Sequence, residues 1–232
     1  AALANEGKNV LLIDLDPQGN LTASLNIPAH ELDDTIHEVL KGDSKIYKAI
    51  KTINNYSVIP ADIRLSGAEI ELSSQPGREM LLKEAMAPIV VDYDYILIDC
   101  PPSLGLLTLN GLTAAKEIFI PLQAEYLALH GMGQLLKTVE TVNKRLNPDL
   151  AITGIITTFY DNRKILNREV LEKIEAYFPD KLFNTRIRNN ISLAEAPSYG
   201  MDIFQYKNNS NGAKDYAALT KEIIEQEGIN NG

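Results

Sequence analysis

The chain has 232 residues, 45% of them hydrophobic and 23% charged, with a formal net charge of -9. That length suits one α/β domain or two small ones, and the acidic balance argues against a general nucleic-acid binder while leaving room for a local basic patch. One cysteine (Cys100) excludes an intrachain disulfide and fits a reducing cytoplasm, the three histidines (His30, His37, His130) lack metal-ligand spacing, and no apolar stretch approaches a membrane helix or a signal peptide.

In chain order, residues 1–8 read as the last turns of a helix stopped at Gly7. A chain that opens in mid-helix is expected to be a fragment. Residues 9–15 form an apolar strand that breaks into Asp14-Leu15-Asp16-Pro17-Gln18-Gly19-Asn20. Residues 20–50 are polar and helical in pieces, with a helical apolar period over 35–40. A short strand is expected at 56–60, then helices at 66–72 and 78–86, the second after Pro76-Gly77. A second apolar strand, 95–99, ends at Asp99-Cys100-Pro101-Pro102-Ser103, followed by a helix at 105–115. A strand at 117–122, closed at Pro121, leads to a long amphipathic helix at 129–146. Leu129, Met132, Leu135, Leu136, Val139, Val142 and Leu146 recur there at the spacing of a core-facing stripe. Then come a strand at 151–157, a helix at 167–177, strands expected at 183–187 and 202–206, and a final helix at 213–226. This alternation predicts an α/β fold, a doubly wound and mostly parallel sheet in a single domain over 1–232. Right-handed crossovers place Asp16 and Asp99 on one edge of that sheet.

An apolar run that stops at an acid and breaks into Pro or Gly is the pattern of a buried parallel strand ending at a ligand crevice. Asp99 has the context of a carboxylate that holds Mg²⁺, an ion that keeps several waters and needs few protein oxygens. The following Pro101-Pro102-Ser103-Leu104-Gly105 suits a mobile loop that senses a γ-phosphate. A strand end with a helix-capping Asp would look the same. Asp14 and Asp16 are two apart and share a face in extended chain. Asp16, further out, suits the positioning of an attacking water, with Asp14 supporting the Mg²⁺ shell. A solvated strand end with a turn is the alternative. No G-x-x-x-x-G-K-[ST] phosphate loop occurs: Gly7-Lys8-Asn9 and Gly212-Ala213-Lys214 lack the preceding glycines and the hydroxyl.

Four segments together carry a resemblance. Residues 10–20 (Val-Leu-Leu-Ile-Asp-Leu-Asp-Pro-Gln-Gly-Asn), 95–103, 121–126 (Pro-Leu-Gln-Ala-Glu-Tyr) and 192–200 (Ser-Leu-Ala-Glu-Ala-Pro-Ser-Tyr-Gly) resemble, in order, the ParA/Soj chromosome- and plasmid-partitioning ATPases. The resemblance implies a P-loop NTPase-like fold whose first strand, deviant K-G-G-x-G-K-T loop and most of one helix, on the order of 25 residues, are absent from this chain. It implies ATP and Mg²⁺ as ligands, with Asp16 as the water-positioning acid, Asp14 the acid near Mg²⁺ and Asp99 the Walker B acid. It places an adenine pocket at 157–161 and 188–190, hence Asp161, Arg188 and Asn190. It also implies an ATP-dependent homodimer, non-specific DNA binding, and a centromere-binding ParB-like partner that stimulates hydrolysis. The signature lysine that crosses the dimer lies in the absent segment. The intact protein is expected to be a cytoplasmic ATPase, nucleoid-associated if it binds DNA; the chain without the loop is expected to be inactive.

The chain departs from the family pattern where relatives carry arginines linked to DNA. It reads Arg188-Asn189-Asn190-Ile191-Ser192 and Asn209-Ser210-Asn211-Gly212-Ala213. Positive charge survives at Lys181, Arg186, Arg188, Lys207 and Lys214, so DNA binding rests on such residues or is lost. Solvated surface charges would look the same. Residues 56–72 and 160–168 fit a dimer face no better than ordinary surface. Two alternatives remain. A Min-type site-placement ATPase would end in a basic amphipathic helix, whereas residues 219–228 are acidic and disfavour a membrane partner. A non-catalytic remnant would expose apolar surface.

Overall fold

An unbroken apolar run carries β1 (Val10–Asp14) through the centre of the molecule. The computed structural model describes residues 1–124 and 128–230. Leu11 and Ile13 enter one core with Leu65, Leu82 and Leu107; Val10 and Leu12 face a second with Leu3, Tyr56 and Ile224. Burial on both faces is what a near-continuous apolar run requires. β1 pairs in parallel with β3 (Tyr56–Ile59) on one side and β4 (Tyr95–Asp99) on the other. A short β2 (Lys51–Ile53) runs antiparallel to β3, giving the order β2-β3-β1-β4. Sequence pattern had not separated β2 from the polar stretch before it. It is joined to β3 through Asn54-Asn55, with Asn54 left-handed at φ 52°, a conformation asparagine tolerates.

Around this sheet lie α1 (Asn20–Ser24), α2 (Ile36–Lys41), α3 (Leu81–Met86) and α4 (Leu106–Ala114). α2 starts at a capping box: the Thr35 hydroxyl accepts from His37 N–H while Glu38 accepts from Thr35 N–H. The helix expected at 66–72 is a 3-10 turn, Ile63–Gly67, followed by one α turn, Ala68–Glu71.

β5 (Glu117–Gln123) and β6 (Ala151–Thr158) form a second, two-stranded parallel sheet. α5 (Ala128–Arg145) and α6 (Ile165–Tyr177) cover one face. Met132, Val139 and Val142 of the expected stripe are buried; the Leu129 side chain lies outside the described residues. α4 joins the two sheets. Its Gly111 lies so close to β4 that a Cβ would stand 2.6 Å from Cys100 Sγ. One turn on, Asn147 Nδ2 donates to the Leu112 and Ala115 carbonyls at 3.0 and 2.6 Å. Among the described residues, β4 and β5 each keep one edge without a partner strand.

Two expected strands are corrected. Residues 183–187 form none; the chain meets β6 at an isolated bridge between Leu182 and Ile155 and at the Ile187 amide, which donates to the Thr157 carbonyl at 2.8 Å, and a second bridge joins Arg188 to Tyr160 just beyond β6. Between them the Asn184 and Thr185 amides turn away to the Glu222 carboxylate, at 2.7 and 2.9 Å, and so leave the ladder. Residues 202–206 belong to α8 (Ile203–Lys207), because the Asp202 carboxylate accepts from the Phe204 and Gln205 amides and caps a helix. α7 (Ile191–Glu195) precedes it, and α9 (Asn211–Asn230) closes the fold against both sheets.

Candidate active site at the strand ends

The parallel register aligns Asp14 of β1 with Asp99 of β4, so both acids leave the sheet on one face at its carboxyl edge. Their surroundings differ. Asp14 is fully buried. Its Oδ2 accepts from the Thr22 hydroxyl at 2.7 Å and the Thr22 amide at 2.9 Å, and its Oδ1 accepts from the Asp16 amide at 3.2 Å. Burial pushes its pKa up despite these donors, and the Asp16 charge adds to the rise.

Asp16 stands at the head of the turn that follows, half-buried. Its Oδ1 accepts from the Gln18 amide at 2.9 Å and its carbonyl from the Gly19 amide at 2.9 Å. Gly19 is left-handed, φ 61°, and a Cβ there would meet the Ala61 carbonyl oxygen at 3.0 Å. The Ala61 amide in turn donates to the Thr22 hydroxyl at 3.0 Å. The turn is thus pinned between the ends of β1 and β3.

Asp99 is exposed, and its carboxylate has no hydrogen bond or ion pair with any described residue. Partial desolvation and the charges of Asp14 and Asp16 push its pKa up. Burial, then the charges of Asp99 and Asp16, push the neighbouring Cys100 thiol up to about 12. Beyond it, the Thr108 hydroxyl donates to the Ser103 carbonyl at 2.6 Å and ties the proline loop to the first turn of α4.

An unpaired carboxylate crowded by two others is a site that a divalent cation would relieve. Among the described residues no three His, Cys, Asp or Glu side chains are set to hold a metal by themselves. The donor set therefore fits an ion that keeps its own waters, as Mg²⁺ does.

Of the other predicted residues, Asp161, Arg186, Arg188 and Asn190 gather just beyond the carboxyl end of β6. Asp161 accepts from the Arg163 guanidinium at 2.8 and 2.9 Å, which holds its pKa down at about 2. Arg188 pairs through Nε and Nη2 with Asp215 at 2.6–3.2 Å. Asn190 caps α7 by accepting from the Ser192 amide at 3.1 Å. Arg186 donates to the Tyr160 hydroxyl at 3.0 Å and lies over its ring. Lys181, Lys207 and Lys214 are exposed and make no ion pair with a described residue. Of the 121–126 motif, Glu125 and Tyr126 lie outside the described residues.

Sequence reasoning missed three buried polar residues. Thr22 holds Asp14, and Asp215 holds Arg188. Asn167 bridges the Ala124 carbonyl (2.7 Å) and the Asp161 amide (3.1 Å). The signal for Thr22 was a hydroxyl one turn into a helix that starts just after the acidic turn. Asp215 lies 27 residues from its partner, and only the fold joins them.

Comparison with known proteins follows the same lines. A family model described as an AAA domain matches residues 1–152. The sporulation initiation inhibitor protein Soj of Bacillus subtilis is 48% identical over 225 residues, covering 96% of this chain and 89% of that protein. The chromosome-partitioning ATPase Soj of Treponema pallidum is 48% identical over 230 residues, covering 98% and 90%. Among solved structures, cobyrinic acid a,c-diamide synthase of Mycobacterium smegmatis with bound ADP and magnesium superposes with a TM-score of 0.85. It is 38% identical, with 98% of this chain and 86% of that one covered.

Proposed function

The chain belongs to the ParA/Soj family of partitioning ATPases, and on that premise we propose that it hydrolyses Mg²⁺-bound ATP at the paired ends of β1 and β4. The observation that carries the reading is the register that sets Asp14 beside Asp99, with Asp99 exposed and unpaired among the described residues. Mg²⁺ when bound would supply charge neutralisation for the phosphates, with Asp99 as its protein-side anchor through water. Asp16, on a turn held at both ends, orients the attacking water in line with the scissile bond. Asp14 supports this arrangement from inside, by holding the turn. No phosphate-cradling glycine loop occurs in the 232 residues. The reading requires one from elsewhere in the protein, and the unpaired edge of β4 gives its strand a place beside Asp99.

The adenine is assigned to the carboxyl end of β6, near Asp161, Arg188 and Asn190. The protein is read as one nucleotide-hydrolase domain that forms a homodimer with ATP and binds DNA without sequence preference. Arg186, Arg188, Lys207 and Lys214 are the candidate phosphate contacts, and a ParB-like protein is the partner that stimulates turnover. Among the described residues no helix is long and apolar enough to cross a membrane.

The test is ATP turnover by the full-length protein. Asp16→Ala is expected to keep ATP binding and dimerisation while turnover drops by about 100-fold or more. Asp99→Asn is expected to weaken Mg²⁺-dependent ATP binding. Turnover that survives in Asp16→Ala would remove Asp16 from the mechanism.

A further inference from the structure

We infer that Thr22 is a positioning residue for hydrolysis, whose hydroxyl locks the Asp16 turn between the ends of β1 and β3. The inference rests on the reading of Asp16 given above. Thr22 Oγ1 is buried and uses both of its capacities: it donates to Asp14 Oδ2 at 2.7 Å and accepts from the Ala61 amide at 3.0 Å. Asp14 passes the constraint on through Oδ1, which accepts from the Asp16 amide. The loop is closed a second time at Gly19, whose left-handed backbone lies against the Ala61 carbonyl. Each contact fixes backbone on one side of Asp16 or the other. Among the described residues, the Asp16 side chain itself is bound only to the Gln18 amide within the same turn. Its direction therefore follows the turn, and the turn follows Thr22.

A general base or water-positioning acid must sit within hydrogen-bond reach of the water it orients, and a displacement of about 1 Å is enough to cost about 100-fold in rate. Valine matches threonine in shape but has neither donor nor acceptor. Thr22→Val would leave the buried Ala61 amide unsatisfied and Asp14 with one donor fewer. Serine keeps both functions. Thr22 touches none of the reacting groups, so substrate affinity has no reason to change with it.

The test uses four variants of the full-length protein: Asp16→Ala, Thr22→Val, Thr22→Ser and the double Asp16→Ala/Thr22→Val. With folding checked by circular dichroism, Thr22→Val is expected to lower kcat by about 10- to 100-fold with KM for ATP within about 3-fold, and Thr22→Ser to restore most of it. In the double variant the second substitution should cost nothing further, because Thr22 acts through Asp16. In the nucleotide-free protein, hydrogen exchange at the Ala61 amide should speed by 10-fold or so in Thr22→Val but not in Thr22→Ser. An unchanged kcat in Thr22→Val, or a loss that adds in full to that of Asp16→Ala, would overturn the inference and leave the reading of Asp16 intact. Turnover retained by Asp16→Ala alone would overturn both.

Discussion

The ends of β1 and β4 lie side by side in register and carry the same residue, yet they treat it in opposite ways. Asp14 is fully buried and accepts three hydrogen bonds; the Asp99 carboxylate is exposed and accepts none from a described residue. The cause is the chain that follows each strand. After β1 the backbone folds back through Asp16–Gly19 into α1, which returns the Asp16 and Thr22 amides to Asp14. After β4 come Pro101 and Pro102, which have no N–H to give. One acid is thereby committed to holding the fold, and its neighbour is left with an unmet charge that suits a ligand. A carboxylate at a strand end becomes functional when the turn beyond it withholds its donors.

The largest effect that would break this comparison is in stability. Asp14→Ala strands three donors, two of them on the buried Thr22, and an unsatisfied buried group costs about 1–3 kcal/mol. A loss of about 3 kcal/mol or more is expected, read as a drop in the urea midpoint at unchanged slope. Asp99→Ala removes a carboxylate with no partner among the described residues and is expected to stay within about 0.5 kcal/mol of the parent or to gain. Equal losses in the two variants would mean that the two ends do not differ in kind.

Gly19→Ala is the next test, directed at the turn. The left-handed conformation costs an L-residue about 1–2 kcal/mol, and here the new methyl also meets the Ala61 carbonyl. Gly7 is left-handed too, at φ 79°, but has nothing within 4 Å of the Cβ position. Gly7→Ala therefore measures the backbone cost alone, about 1 kcal/mol. Gly19→Ala should exceed it, and a matched pair of midpoints would show that the turn yields without resistance.

What could be read from the sequence follows from the same physics. β1 and β4 were plain because strands buried on both faces are unbroken apolar runs, and their acids were plain because each run stops at one. β2 was not, since Lys51-Thr52-Ile53 is short, polar and half-exposed. Residues 202–206 carry the strand-prone Ile203, Phe204 and Tyr206, but the cap from Asp202 outweighed that propensity. The shared face of Asp14 and Asp16 in extended chain misled, because the strand ends at Asp14 and Asp16 lies in the turn. That Asp14 looks inward depends on Thr22, eight positions on, and on where α1 begins. No local pattern carries that information.

Asp99 also sets a pH dependence that sharpens the comparison. Its folded pKa is raised, chiefly by desolvation and then by Asp14 and Asp16. An acid whose pKa is higher folded than unfolded binds protons more tightly in the folded state. Its contribution is therefore fully present below the ordinary carboxylate range and is lost as pH rises through the raised value. Asp14 is raised as well, so the parent protein keeps that part of the curve in every Asp99 variant. Asp99→Asn should accordingly gain on the parent as the pH climbs from about 4 to 7, measured as the difference between urea midpoints. A difference that is flat with pH would mean that Asp99 is not crowded by the other two acids.

The smallest effect concerns the acid at the end of β6, where a third arrangement is found. Asp161 is engaged, but from the solvent side: Arg163 two residues on is highly exposed and closes over it. That pairing holds the Asp161 pKa down at about 2. A depressed acid stabilises above its unfolded pKa and loses that contribution as pH falls toward about 2, but solvent screens an exposed pair and leaves little of it in the stability. Arg163→Ala should therefore leave the urea midpoint where it is. The same change should move the Asp161 carboxyl titration, followed by NMR, upward toward the ordinary range. Raising the salt to about 1 M should move it the same way in the parent, because the screening length there is about 3 Å. A pair that opens so readily leaves Asp161 available to a ligand, whereas Asp14 can be released only by undoing its turn. If the Asp161 titration stays low in high salt, the pair is a fixed part of the loop and the assignment of Asp161 to the adenine site loses its support.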